Sequence, residues 1–167
     1  PKPGTDGALA VSIINHLINN DLVDEDYIQK HTNGFDELKE HIQGKDPEWA
    51  SKITGISVED IKKLSYEIAN EQPVGIRIGV ALERHHGGGQ TIRAVTCIPA
   101  LTGSWKYIGG GITQFPVWEH PYKFDVICRP DLIPNGTRVV NALQLGRVLL
   151  GENIDKNKPI MSMTVSY

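Results

Sequence analysis

The residues best placed for chemistry lie in the loop Glu83-Arg84-His85-His86-Gly87-Gly88-Gly89, which joins an alternating apolar run to a helical one. Val74 to Val80 has the period of a strand and Gln90 to Leu101 that of a helix, so the loop leaves a strand's carboxyl end and enters a helix's amino end. Ligands of open α/β sheets gather at that place. Glycine lets the backbone approach a ligand, and free N–H groups with the helix dipole favour an anion such as phosphate. Arg84 offers a forked donor, and His85 or His86 a donor to a heteroaromatic ring. A mobile surface turn would use the same glycine triplet, which has the spacing of neither a Walker loop nor a dinucleotide fingerprint.

Other candidates carry less. His85, His86, Cys97, His120 and Cys128 lack the tight spacing of a structural zinc site. The two cysteines are too few for a disulfide framework or a four-thiolate cluster. Cys97, beside Val95 and Ile98, reads as a buried inert thiol. No Ser/His/Asp set or carboxylate pair stands out, so neither catalytic nor metal-ligating residues are assigned. The acids of the first third read as a solvated face.

Composition narrows the class. The 167 residues are 40% apolar and carry a formal net charge of -3, which argues against a polyanion-binding surface, so no nucleic-acid partner is expected. No apolar run reaches the roughly 18 residues of a membrane helix. The chain starts at Pro1, shows no signal peptide, and closes on Ile160 to Tyr167, which reads as a strand without a turn. Both ends read as cuts in a longer protein.

The surrounding pattern is α/β. Thr5 and Asp6 are both good caps for a helix carrying Leu9, Ile13, Ile14, Leu17 and Ile18, ended by Asn19-Asn20-Asp21. Short helices are expected from Asp24 and from Phe35, with a helical turn from Pro47 to Ile53. Ser57 to Asp60 resembles a capping box, with Ile56 stapling onto Ile61, for a helix with Ile61, Leu64, Ile68 and Ala69 inward and Pro73 as its stop. Gly103 closes the helix that follows the loop, and Gly109-Gly110-Gly111 reads as a hinge. Ile112 to Pro134 reads as an irregular excursion. A last helix from about Arg138 to Leu150, with Val139, Leu143 and Val148 inward, leads to the final strand. Val74–Val80 and Ile160–Tyr167 are expected as buried strands of a parallel sheet.

Taken in order, these segments resemble molybdopterin oxidoreductases of the dimethyl sulfoxide reductase family. The resemblance rests on Pro3-Gly4-Thr5-Asp6-Gly7-Ala8-Leu9-Ala10, then Phe35-Asp36-Glu37-Leu38, Pro47-Glu48-Trp49-Ala50 and Ile53-Thr54-Gly55-Ile56. Glu83 to Ala94 is similar to the family's RH-x-GG-x-x-x-RA signature, and Pro99-Ala100-Leu101-Thr102-Gly103 with Gly109-Gly110-Gly111 to its PALTG…GGG. The match runs from Pro1 to about Gly111 and resumes weakly near Lys158. One departure stands out. Where many relatives have Thr-Gly-Asn-x-Gly, this chain has Thr102-Gly103-Ser104-Trp105-Lys106, without a glycine suited to a positive-φ turn.

The resemblance implies a bis(molybdopterin guanine dinucleotide) cofactor with molybdenum or tungsten, clamped between Rossmann-like parallel-sheet domains with flanking helices. Residues 1–72 would be the helical end of a guanine-dinucleotide-binding domain, and 73–167 the start of the adjoining α/β domain. Asp6 would read guanine, since a carboxylate accepts from two adjacent N–H donors; a helix cap is its other reading. Gly4 and Thr5 flank it. Glu83, Arg84, His85, Gly87 and Gly88 would approach the pterin or its pyrophosphate. The metal ligand and any [4Fe-4S] cluster would lie upstream, so catalysis would belong to a parent enzyme transferring oxygen atoms or electron pairs. Its partners would be the remaining domains of the parent and electron-transfer subunits, in a prokaryotic cytoplasm or periplasm. The rival expectation is a metal-free structural or electron-transfer subunit sharing the fold.

Overall fold

The computed structural model describes residues 1–114, 123–137 and 144–151. They fall in two compact units, Pro1–Glu119 and His120–Tyr167.

The first unit is built around helix α1 (Asp6–Asn19), which packs against α4 (Pro47–Thr54), α5 (Val58–Asn70) and α6 (Gly88–Leu101). Having three helical neighbours explains why both its apolar stripe and several polar positions are covered. Ile13, Ile14 and Leu17 are buried, and so are Ser12, Asn15 and His16. Asn15 Nδ2 donates to Ile42 O at 3.0 Å, which ties the end of α3 (Phe35–His41) to α1. At the end of α1, Asp21 takes φ 55° while Leu22 N–H donates to Leu17 O and Asp21 N–H to Ile18 O. This is a Schellman closure with aspartate in the left-handed position.

Capping side chains begin three of the other helices. Asp24 accepts from Tyr27 N–H at the start of α2 (Glu25–His31), Asp46 from Trp49 N–H ahead of α4, and Ser57 from Asp60 N–H ahead of α5. Ile61 is fully buried and Ile56, Ile68 and Ala69 pack on the same core, as expected of that stripe. Leu64 differs. It is 38% exposed, because it lies at the rim of a cleft beside β1.

Strand β1 (Gly75–Ile78), α6 and strand β2 (Gly111–Gln114) form a βαβ unit, with Gly75 opposite Gly111 and Ile78 opposite Gln114 in parallel register. The architecture is thus α/β with a two-stranded parallel sheet. Parallel strands need a crossover, and α6 supplies it. Two expectations are corrected. The strand is shorter than Val74–Val80 and not buried on both faces: Ile78 is buried while Gly75, Arg77 and Val80 are exposed. The start of the stretch expected to be irregular is β2, missed because Gly-Ile-Thr-Gln is too short to show alternation.

The turn lacking the family's glycine is settled by other contacts. Ser104–Lys106 is a 3-10 turn in which Lys106 needs no positive φ, and its ammonium pairs with Asp24. Ser104 Oγ donates to Gln72 Oε1 at 2.8 Å and shares a hydrogen bond with Thr102 Oγ1.

In the second unit, α7 (Phe124–Cys128) and a 3-10 turn at Pro130–Leu132 replace part of the expected irregular stretch. Arg129 bridges Asp131 with Nε and Nη2 at 2.8 and 2.7 Å. Helix α8 (Leu145–Leu149) carries the buried Val148. Val139, Leu143 and the strand expected at Ile160–Tyr167 lie outside the described residues. Among the described residues, no helix is long and apolar enough to cross a membrane.

His16 gives the first unit a pH dependence. Burial, then nearby Lys62, holds its imidazole below the ordinary 6.5, with Glu48 opposing. Asn20 Nδ2 lies 3.1 Å from His16 Nδ1, Tyr66 packs edge-on, and Nε2 has no partner among the described residues. The unfolded imidazole therefore takes up its proton at a higher pH than the folded one, and stability falls as pH drops below 6.5. Urea titrations of wild type and His16→Gln from about pH 7.5 to about 5.5 should show the wild type losing more stability, by at most ~1.4 kcal/mol per pH unit.

Candidate functional site

The two segments singled out in the sequence meet in the first unit. Lys2 N–H donates to Thr54 O at the end of α4, and Lys2 O accepts from both Thr5 N–H and Thr5 Oγ1. These bonds fix the turn in which Gly4 takes φ 78°. A Cβ at Gly4 would stand 3.2 Å from His85 Nδ1, so the imidazole lies directly on this turn. One helical turn further on, a Cβ at Gly7 would stand 2.8 Å from Thr91 Oγ1. The amino ends of α1 and α6 are therefore side by side, with Asp6 between the two contacts.

Thr5 occupies the N-cap position of α1, but its side chain makes no capping bond, since its hydroxyl is turned to Lys2 O. Asp6 is the first residue of the helix rather than its cap. The capping reading of Asp6 is thereby corrected. Its carboxylate forms no hydrogen bond or ion pair among the described residues, and in the first turn it complements the helix dipole. It lines a cleft of about 450 Å³ whose wall includes Ile78, Gly79, Ala81 and Leu82 at the carboxyl end of β1. Most of that wall is apolar, with Leu9, Ile13 and Val95 among its residues.

The loop itself is more internally bonded than its glycines suggest. Leu82–Arg84 forms a 3-10 turn, and Arg84 Nε donates to Val80 O at 2.8 Å, so one arm of the expected fork holds its own loop. Gly87, at φ 74°, is the N-cap of α6. Gly88 N–H donates to His85 O, and Gln90 and Thr91 N–H both donate to Gly87 O. The N–H groups of Gly87 and Gly89 are left without an acceptor among the described residues. Gly88 serves packing: a Cβ there would stand 2.3 Å from Leu82 O and 2.6 Å from Glu83 Cα. Glu83, His85 and His86 are exposed.

Cys97 is half-buried, and burial pushes its thiol above the ordinary range, which suits an unreactive group. Gly7 and Thr91 also line a larger groove, of about 620 Å³, with Trp49, Lys45 and Arg93. Sequence reading missed the partnership of Gly7 and Thr91. Both fall inside the quoted motifs, but a helix contact across 84 positions leaves no local pattern.

No family model matches the chain. It is 41% identical over 165 residues to a probable oxidoreductase of Bacillus subtilis, YoaE, covering 98% of this chain and 24% of that protein. It is 35% identical over 170 residues to a probable dimethyl sulfoxide reductase chain of Escherichia coli, YnfF, covering 83% of this chain and 21% of that one. Its homologues are molybdoenzymes of the dimethyl sulfoxide reductase family. Acetylene hydratase from Pelobacter acetylenicus superposes with a TM-score of 0.60 at 32% identity, over 65% of this chain and 15% of that structure. The chain spans about a quarter or less of the length of these relatives.

The loop geometry makes its glycines separable. Gly88→Ala should cost about 1–3 kcal/mol by overpacking Leu82 and Glu83. Gly89→Ala, with nothing within 4 Å of the new methyl, should leave stability unchanged or raise it by up to about 1 kcal/mol. Urea denaturation of the two variants checks the ordering.

Proposed function

We propose that this chain is a cofactor-holding portion of a molybdenum oxidoreductase, and that the edge formed by Gly4 to Asp6 and Glu83 to Gly88 binds a molybdopterin guanine dinucleotide. The observation that carries this reading is the Asp6 carboxylate, unpartnered among the described residues, in the cleft at the carboxyl end of β1, beside a loop where the Gly87 and Gly89 N–H groups have no acceptor among those residues. The donor and acceptor set fits such a ligand. Asp6 accepts from the adjacent imino and amino N–H groups of guanine. Gly87 and Gly89 N–H, with the free Nη groups of Arg84, face the pyrophosphate or pterin.

When bound, the metal–pterin group supplies the oxygen-atom or electron-pair transfer, and the chain supplies placement. In the complete enzyme a second domain closes over the cofactor, and a paired bis-form follows from the family resemblance. The hydratase among the structural relatives favours a second reading of the reaction itself, since its name denotes addition of water without net electron transfer. Metal analysis of the full-length protein, followed by parallel sulfoxide-reduction and hydration assays, separates these readings. Absence of molybdenum and tungsten would leave the metal-free subunit as the better account.

Asp6→Asn tests the guanine contact. It replaces one acceptor oxygen by a donor facing an N–H, an unpaired group costing ~1–3 kcal/mol. Cofactor loading of the full-length protein at limiting supply should fall by about one to two powers of ten, given ~1.4 kcal/mol per tenfold. Stability should change little, by less than about 1 kcal/mol from the lost dipole interaction. Unchanged loading would reject the guanine-reading role. The 167-residue chain alone, with no metal ligand assigned to it, should show no turnover in either assay.

A further inference from the structure

We infer that the contact between Gly7 and Thr91 is a spacer that sets the distance between the two cofactor-facing segments, with Thr91 as a positioning residue for the nucleotide-bearing ligand. The inference rests on the function proposed above and adds the residue that aligns the site. Gly7 directly follows Asp6, and Thr91 lies one turn beyond Gly88. A Cβ at position 7 would meet Thr91 Oγ1 at 2.8 Å, while Thr91 Cβ and Cα would be at an ordinary 3.6 and 3.7 Å. At this crossing the Thr91 hydroxyl is thus the atom that stands in the way of any side chain at position 7.

Thr91 Oγ1 forms no hydrogen bond among the described residues, so its place is not explained by a donor or acceptor it satisfies. Threonine divides between two χ1 rotamers in a helix, and its branched Cβ keeps two heavy atoms off the backbone in either, so it fills the gap as a spacer. The Gly4–His85 contact, 3.2 Å to His85 Nδ1 from a Cβ at Gly4, braces the same junction from the other side of Asp6. Any ligand held at once by Asp6 and by the Gly87 and Gly89 N–H groups senses this spacing. A wedge at position 7 moves Asp6 relative to the loop, and trimming Thr91 lets it return.

The test uses the full-length protein, produced at limiting cofactor supply. Guanosine monophosphate released per chain by acid hydrolysis reports loading, and the thermal midpoint reports stability. Gly7→Ala should lower loading about tenfold, as a misfit of one decade of affinity would. Gly7→Ala with Thr91→Ala should return to within about twofold of wild type. Ile61→Val, in α5 and not among the residues lining the Asp6 cleft, supplies a destabilised control and should retain wild-type loading. Thr91→Val is a milder wedge, with an expected loss of about threefold, and it is the deciding variant if Gly7→Ala does not accumulate.

Wild-type loading in the wedge variants, no recovery in the double variant, or loading that follows the thermal midpoint in every variant including Ile61→Val would each overturn the spacer role alone. Wild-type protein that releases no guanine nucleotide would overturn both this inference and the cofactor reading beneath it.

Discussion

The close approach of α1 to α6 is the constraint on which the rest of the first unit leans. Ile14 and Leu17 of α1 share one core with Ile98 and Leu101 of α6, and α4 and α5 close over the other sides of α1. Large side chains hold the carboxyl halves of the two helices together. Near their amino ends the side chains thin to Gly7 and Thr91, and the approach there is decided by single atoms. Because α6 is also the crossover between β1 and β2, this packing fixes the sheet relative to α1. The cleft beside Asp6 is bounded by all three.

Polar contacts complete that frame where apolar packing runs out. The backbone of Lys2 is tied to the end of α4, the side chain of Asn15 reaches the end of α3, and Asp24 takes the ammonium of Lys106. Each joins segments distant in sequence at a helix end, where unpaired carbonyl or N–H groups are available. The Asp24–Lys106 pair also shows how a family pattern can be broken without losing the turn. Lysine in place of glycine is accommodated because the 3-10 turn keeps a negative φ at that position and the side chain finds a carboxylate and two tyrosine rings.

Much of this was legible in the residues. Most helices of the first 70 positions follow from local capping residues and apolar spacing, as at Asp24 and Ser57, whereas the Asp46 cap of α4 was not singled out and α3 starts at Gly34 without a capping side chain. The strand, loop and helix around Glu83 were equally plain. What local pattern could not supply was the division of labour within the loop: Gly88 answers to Leu82 and Glu83, Gly87 to its φ angle, and part of Arg84 to Val80. Nor could it show that Thr5 turns its hydroxyl to Lys2 and leaves Asp6 without a capping task. The four residues of β2 were missed because a strand that short is defined by its partner rather than by its own composition.

The two-stranded sheet has one further consequence. Among the described residues, the sheet consists of β1 and β2 joined in one parallel ladder. Val80, just beyond β1, is an exposed apolar side chain. Where a strand edge meets solvent it is a template for any extended chain, including another copy of itself. A proline or lysine beside Val80 would be the natural device for keeping such an edge from pairing with a second chain.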